Sequence, residues 1–515
     1  MWNLKIGVSA LAPAVLTVVT IAIANPPGRN RQQDPTPQVP KTWDDQAMAT
    51  LEVPLADATV SPVPVSADYY YRIPVRPIYK IYPVYHPSKE PSGYFEQLKA
   101  LEPAVVSFDF SKVQTEDDWI RVGEIVFDTP TDYDISGSPA QFRDPSYYGA
   151  LGIPVARDGT VPFVKYVVRE KGKVEVGVLA CGSCHTRVMP DRTVVKGAQG
   201  NFPFDRTGPP ELPDAILPLF RRLYKLLYGV PWLGVQDPAR PLETMPYAEI
   251  VALGRAIPAG VQARHGTGLQ FPTQIPDLIG VQDRRYLDHT GLVRHRGIGD
   301  VMRYAALNQA VDLYSRHGDF VPIADDFRTV PDPYRDSPFS FANGRYSDEQ
   351  LYALAQFIYS LRPPRNPHTM NAEAKRGQEI FGREECGTCH TPPLYTNNRL
   401  TPVIGFQPPP EDLKRFDIMT RSVGTDPDLA LRTRRGTGYS KVPSLKGVWY
   451  RGPFEHSGSV ATLEDWFDPR RLRGDYVPTA FKGHGVNTRA VKGHGFGLEL
   501  SRADKAPLIA FLKTL

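Results

Sequence analysis

Residues 181–185 read CGSCH and residues 386–390 read CGTCH, and the four cysteines of this 515-residue chain are all spent on these two copies. A Cys-x-x-Cys-His pentapeptide attaches a c-type haem. The sulfurs of Cys181 and Cys184, or of Cys386 and Cys389, reach the two vinyl groups, and a helical turn swings His185 or His390 under the iron. The rival chemistries fit less well. A structural zinc site pairs two such elements inside one small module, and a thioredoxin-like redox pair has no use for the histidine. Two disulfides would suit an exported protein, but not this spacing. The expected cofactors are two covalently bound haem c groups, with His185 and His390 as proximal iron ligands.

What faces the other side of each iron separates an electron carrier from a catalyst, because two strong protein ligands leave a substrate nowhere to bind. For the second haem the stretch before the chain end, KGHGVNTRAVKGHGFG, carries His484 and His494 and no methionine. His494 is the expected sixth ligand, with His484 and Met419 as alternatives. For the first haem the next histidine after His185 is His265. The expected distal face is open or covered by aromatic side chains, its catalytic residue unassigned. His265, His289, His295 and His317 are the histidines that could close it.

The elements that must position these groups are legible in part. MWNLKIGVSALAPAVLTVVTIAIAN has a basic start, an apolar run and a small-residue site, which reads as an export signal over residues 1–24, with a retained membrane anchor as the alternative. Haem attachment outside the cytoplasm agrees with a periplasmic or secreted protein. Residues 25–68 read as a proline-rich linker. YYYRIPVRPIYKIYPVYHP (69–87) is expected to lie extended over another surface, within an N-terminal extension at 69–175. VPFVKYVVREKGKVEVGV predicts a hairpin entering the first motif. A haem 1 domain is expected over 176–368. In it, apolar spacing predicts a helix over 298–315, and a capping box at Ser347 and Gln350 with a stripe ending before Pro363 predicts its closing helix. The haem 2 domain, 369–515, opens with a helix on which Gly377 and Phe381 share one side. It closes with a helix expected to begin near Ala506, with Pro507 in its first turn. The fold class is mainly α: two cytochrome c-like haem domains with long irregular loops and a few short β-hairpins.

A net charge of +4 over 515 residues argues for neither nucleic acid nor a membrane surface as partner. Arg432, Arg434 and Arg435 could neutralise haem propionates, receive an acidic partner or sit in a solvated loop.

CGTCHTPPLYTNNRLTPVIGF, GTDPDLALRTRRGTGYSKVPSLKGVWYRGPFEHSGSVATLEDWFD and GHGFGLELSRADKAPLIAFLKTL resemble the bacterial di-haem cytochrome c peroxidase superfamily. The resemblance implies one haem that is the substrate site and one that exchanges or stores electrons. The family's PYFHDGS-like stretch is here Pro453 to Ser459, so His456 carries over as a residue beside the haem. The peroxidases' methionine is missing from TLEDWFD, as is their histidine soon after the first motif. Both absences resemble the di-haem rubber-oxygenase-like branch more than the peroxidases. The expected function is a periplasmic oxidoreductase in which haem 1 activates peroxide or dioxygen and haem 2 transfers or stores electrons. The alternative is an electron-transfer cytochrome c without substrate chemistry of its own. Expected partners are a small redox protein and a small-molecule oxidant, and calcium is a further cofactor left open.

Overall fold

Two glycines decide how the main helix pairs of this chain meet. The computed structural model describes residues 17–20 (as backbone), 38–135, 137–208, 211–323 and 344–515. Its longer helices are α1 (Glu116–Asp128), α2 (Leu217–Tyr228), α3 (Tyr247–Arg255), α4 (Ile298–Asn308), α5 (Asp348–Ser360), α6 (Ala372–Arg383) and α7 (Arg502–Lys513). Small sheets accompany them, and none of the described residues forms a barrel. Helix α6 crosses α7 at Gly377, where an added Cβ would lie 1.9 Å from the Pro507 carbonyl oxygen. Helix α1 crosses α5 at Gly123 in the same manner, 2.0 Å from the Ala353 oxygen. Each glycine lets two backbones come closer than any side chain would permit.

The expected domain start at residue 176 falls inside a strand, and the helix that packs on α5 is α1, some way ahead of it. Three strands of a four-stranded antiparallel sheet lie between α1 and the first motif, and the fourth precedes α1. The strands are β1 (Ile81–Tyr85), β2 (Asp132–Tyr133), β3 (Thr160–Glu170) and β4 (Lys173–Val178), in the order β1-β3-β4-β2. Strands β3 and β4 form the expected hairpin around Gly172, whose positive φ of 85° suits the tight turn. Leu179, also at positive φ, turns β4 directly into Cys181.

Several expectations change. Residues 38–68, read as linker, bury Trp43, Leu51 and Val53, and Trp43 stacks on Tyr70 at 4.5 Å. A few well-spaced apolar side chains suffice for that. The aromatic strip begins as a helix, Ala67–Arg72, capped by Ser66, and only then continues as strands. Helix α4 ends at Asn308, because Ala310 takes a left-handed conformation. Helix α5 carries the predicted capping box. Helix α7 starts at Arg502, earlier than expected, so Pro507 is interior. An interior proline costs about 3 kcal/mol, which the α6–α7 contact of Ile380, Phe381, Leu508, Phe511 and Leu512 offsets.

The signal reading and residues 25–37 lie outside the described residues, except that Thr17–Thr20 pairs in parallel with Ala104–Ser107. No helix among the described residues is long and apolar enough to cross a membrane.

Candidate functional site

Both pentapeptides fold alike. Residues Cys181–Cys184 make one helical turn and Cys386–Thr388 a tighter one. In each, the histidine N–H bonds back to the first cysteine's carbonyl at 2.9 Å, His185 to Cys181 and His390 to Cys386. All four thiols are free. Burial pushes Cys181 and Cys184 up to about 12 and Cys386 up to about 11.

The ring nitrogens are oriented for metal. Nδ1 of His185 faces the Pro276 carbonyl at 3.0 Å, and Nδ1 of His390 faces the Tyr395 carbonyl at 3.2 Å. A carbonyl can only accept, so both Nδ1 atoms carry the proton and both Nε2 atoms keep a lone pair. This is the carbonyl-backed tautomer usual in metal-ligating histidines. Burial lowers His185 to about 4 and lowers His390 as well, which keeps both rings neutral as ligands must be.

Opposite His390 stands His494, with ring centroids 6.2 Å apart. Metal–imidazole bonds of ~2 Å, plus ~1.1 Å from nitrogen to ring centre, put two imidazoles on one iron ~6.2 Å apart. The spacing fits an iron held between them. His484 lies in an exposed loop. Met419 sits 4.0 Å from the Cys389 sulfur and receives the Asn397 amide at 3.4 Å.

Around His185 the arrangement differs. Cys181, Cys184 and His185 open on a cavity of about 390 Å³, within the range of ligand pockets. Among the described residues no imidazole faces His185 as His494 faces His390. Apolar and aromatic side chains of α2 and α3, including Phe220, Tyr224, Tyr228 and Tyr247, form one wall, and Tyr304 of α4 another. Helices α2 and α3 were not anticipated, although Phe220, Leu223, Tyr224 and Leu227 follow a helical stripe. Of the four candidate histidines only His265 is among the lining residues, its Nδ1 turned to Asp312 at 3.1 Å. His295 has both nitrogens engaged, with the Arg284 carbonyl and the Tyr359 hydroxyl. His289 Nε2 is on the Gln274 carbonyl, and His317 Nδ1 is on the Val60 carbonyl.

The polar side of the cavity carries Arg264, Arg284, Arg435, Lys441 and Asp288. Arg264 and Arg435 pair with Asp288 at 3.0 and 3.4 Å, and Arg435 reaches Asp312 at 2.9 Å. These two arginines hold Asp288 well below the usual carboxylate range despite its burial, and burial drops Lys441 to about 7. Arg434 and Arg435 are each 5% exposed, which removes both the solvated-loop reading and the acidic-partner reading for them. Arg432 is held by the Gln236 carbonyl and Asp428.

One segment connects the two motifs. Asp277, next to Pro276, accepts the buried Tyr450 hydroxyl at 2.7 Å. From the same segment Leu445 donates at 3.1 Å to the Tyr395 carbonyl that His390 also uses. His456 pairs with Glu455, whose φ is +71°. Neither is among the cavity-lining residues. Among the described residues no group of three or more His, Cys, Asp or Glu side chains is arranged to hold a metal ion.

No family model matches the chain. A cytochrome-c peroxidase of Denitromonas iodatirespirans, IdrP1, is 30% identical over 116 residues, which cover 19% of this chain and 30% of that protein. Three solved structures align over most of their own length. A hydrazine synthase of Kuenenia stuttgartiensis has 16% identity, covering 61% of this chain and 92% of that one, at a TM-score of 0.28. A MauG-like protein associated with microbial copper homeostasis has 19% identity, covering 60% and 92%, at 0.28. The diheme peroxidase BthA from Burkholderia thailandensis has 18% identity, covering 63% and 91%, at 0.26.

Proposed function

We propose that this chain is an exported di-haem c-type oxidoreductase, periplasmic or secreted, with one iron open to a small oxidant and one closed by two histidines. The observation that carries the proposal is the asymmetry between its two motifs: His494 stands at bis-imidazole spacing from His390, whereas among the described residues no imidazole stands so from His185. A haem iron with one protein ligand binds peroxide or dioxygen, and one with two exchanges electrons. The local similarity to a cytochrome-c peroxidase supports the same class of chemistry.

The chain's own residues supply the rest. Cys181 and Cys184, and Cys386 and Cys389, would fasten the two groups, with His185 and with His390 and His494 as the iron ligands. Arg264, Arg284 and Arg435 offer positive charge for the haem carboxylates on the cavity's polar side. The aromatic wall of α2 and α3 keeps water scarce at the reacting face. His265, with Nδ1 tied to Asp312, is the proton-handling imidazole of that cavity. The Pro276–Asp277–Tyr450 to Leu445–Tyr395 connection joins the two proximal histidines and offers electrons a bonded route.

The competing reading is an electron carrier, which the presence of His265 in the cavity favours if that ring reaches the iron. Electron paramagnetic resonance of the ferric holoprotein with a cyanide titration separates the two. One high-spin and one low-spin iron, with one cyanide bound, is expected. Two low-spin irons that bind no cyanide, with one becoming high-spin in His265→Ala, would replace the proposal with the carrier.

A further inference from the structure

His185 and His390 are each aimed by a hydrogen bond from Nδ1, but His494 is not: its Nδ1 is buried and has no partner. Something other than its ring chemistry must hold it opposite His390. Its backbone is in the left-handed region at φ +47°, uncommon for a residue other than glycine, and the loop around it is tied down. The constraint converges on Arg471, 1% exposed, which lies on the turn Pro469–Leu472. Its Nε donates to the Trp466 carbonyl at 2.8 Å, and one Nη to the carbonyls of Val491 (2.8 Å) and Gly493 (2.9 Å). The other Nη donates to the carbonyl of His494 itself at 2.8 Å. The flat guanidinium thus gathers the loop that carries His494 and fixes it to Trp466, whose ring packs against the imidazole at 5.2 Å. On the far side, Gly493 at φ +84° leaves no room for a side chain, since a Cβ would lie 2.3 Å from the Thr425 nitrogen.

We infer that Arg471 is the positioning residue for His494, and that its rigid fork, with Gly493 as backstop, sets the coordination state of the second haem. This rests on the reading of His494 as a ligand, and the test keeps the two apart. Lysine cannot replace the fork, because an ammonium group has neither its planarity nor its reach to four carbonyls.

The experiment uses the holoprotein and its His494→Ala, Arg471→Met, Arg471→Lys and Gly493→Ala variants. Visible and paramagnetic resonance spectra report spin state at each iron, and circular dichroism reports folding. His494→Ala is expected to make the second iron high-spin and to raise bound cyanide from one per chain to two. Arg471→Met and Gly493→Ala should do the same, and Arg471→Lys in part. Added imidazole should restore the low-spin signal of the second iron in each, and before any ligand is added the first iron's signal should be the same in all variants. A low-spin second iron in His494→Ala overturns the ligand reading, and the inference with it. A folded Arg471→Met that stays fully low-spin overturns the inference alone. If Arg471→Met does not fold, Gly493→Ala decides, and an unaltered low-spin signal there overturns it.

Discussion

Replacing Gly377 by alanine tests whether the helix pair that leads into the second motif depends on backbone contact. The new methyl group would lie 1.9 Å from the Pro507 oxygen and 2.8 Å from the Phe511 Cβ. Ordinary carbon–oxygen contacts are ~3.3 Å or longer, so α6 and α7 must separate by ~1.4 Å. A gap of that size forfeits half or more of the dispersion energy across the contact between Phe381 and Phe511, whose rings are now 5.3 Å apart. Overpacking costs ~1–3 kcal/mol and a backbone clash belongs at the upper end, while alanine recovers ~1 kcal/mol of helix propensity, leaving a loss of about 2 kcal/mol. Gly382, in the same helix, has nothing within 4 Å of its added Cβ, so Gly382→Ala should gain ~0.5–1 kcal/mol. Urea unfolding of the two holoproteins, followed by far-ultraviolet circular dichroism and haem absorbance, should place their midpoints roughly 1 M apart, Gly377→Ala lower. Equal midpoints, or the reverse order, would refute the close-crossing account. Gly123→Ala should repeat the loss at the first pair.

Tyr450→Phe leaves buried Asp277 without its hydroxyl donor; a stability loss of ~1–2 kcal/mol is expected, and laser-triggered electron transfer between the haems should slow, an unchanged rate ruling out the route. Mass spectrometry of the mature chain should show two haem additions, and Cys181→Ala with Cys184→Ala should leave one, on the peptide with Cys386 and Cys389; a native mass equal to the bare polypeptide would end the haem reading. Burial holds the Glu52 carboxyl up at about 8. Between its ordinary value and 8 the folded chain keeps a proton that the unfolded chain releases, so stability should fall as pH rises through about 4.5 to 8. Glu52→Gln should flatten that part of the profile, and an identical slope in both proteins would show that Glu52 is not its source.

Local pattern carried far in this chain. The pentapeptides, the hairpin before the first, the Ser347–Gln350 box and the apolar stripe of α7 depend on neighbours in sequence, and the structure places each where the spacing put it. Gly123 was equally legible and overlooked: it precedes Phe127 by four residues behind a Thr115–Asp118 capping box, as Gly377 precedes Phe381. The intervening strands hid the likeness by separating α1 from its motif.

Residue types in sequence therefore determined that two Cys-x-x-Cys-His turns exist and that His494 was available, because such a turn needs only a five-residue span. What stands opposite each of the two histidines was decided by tertiary structure alone. His494 stands opposite His390 where Arg471 ties the Trp466 carbonyl to three carbonyls of the 491–494 loop, and α2, α3 and α4 line the cavity at His185. Such contacts join residues far apart along the chain, and no local spacing encodes the distance across a cavity.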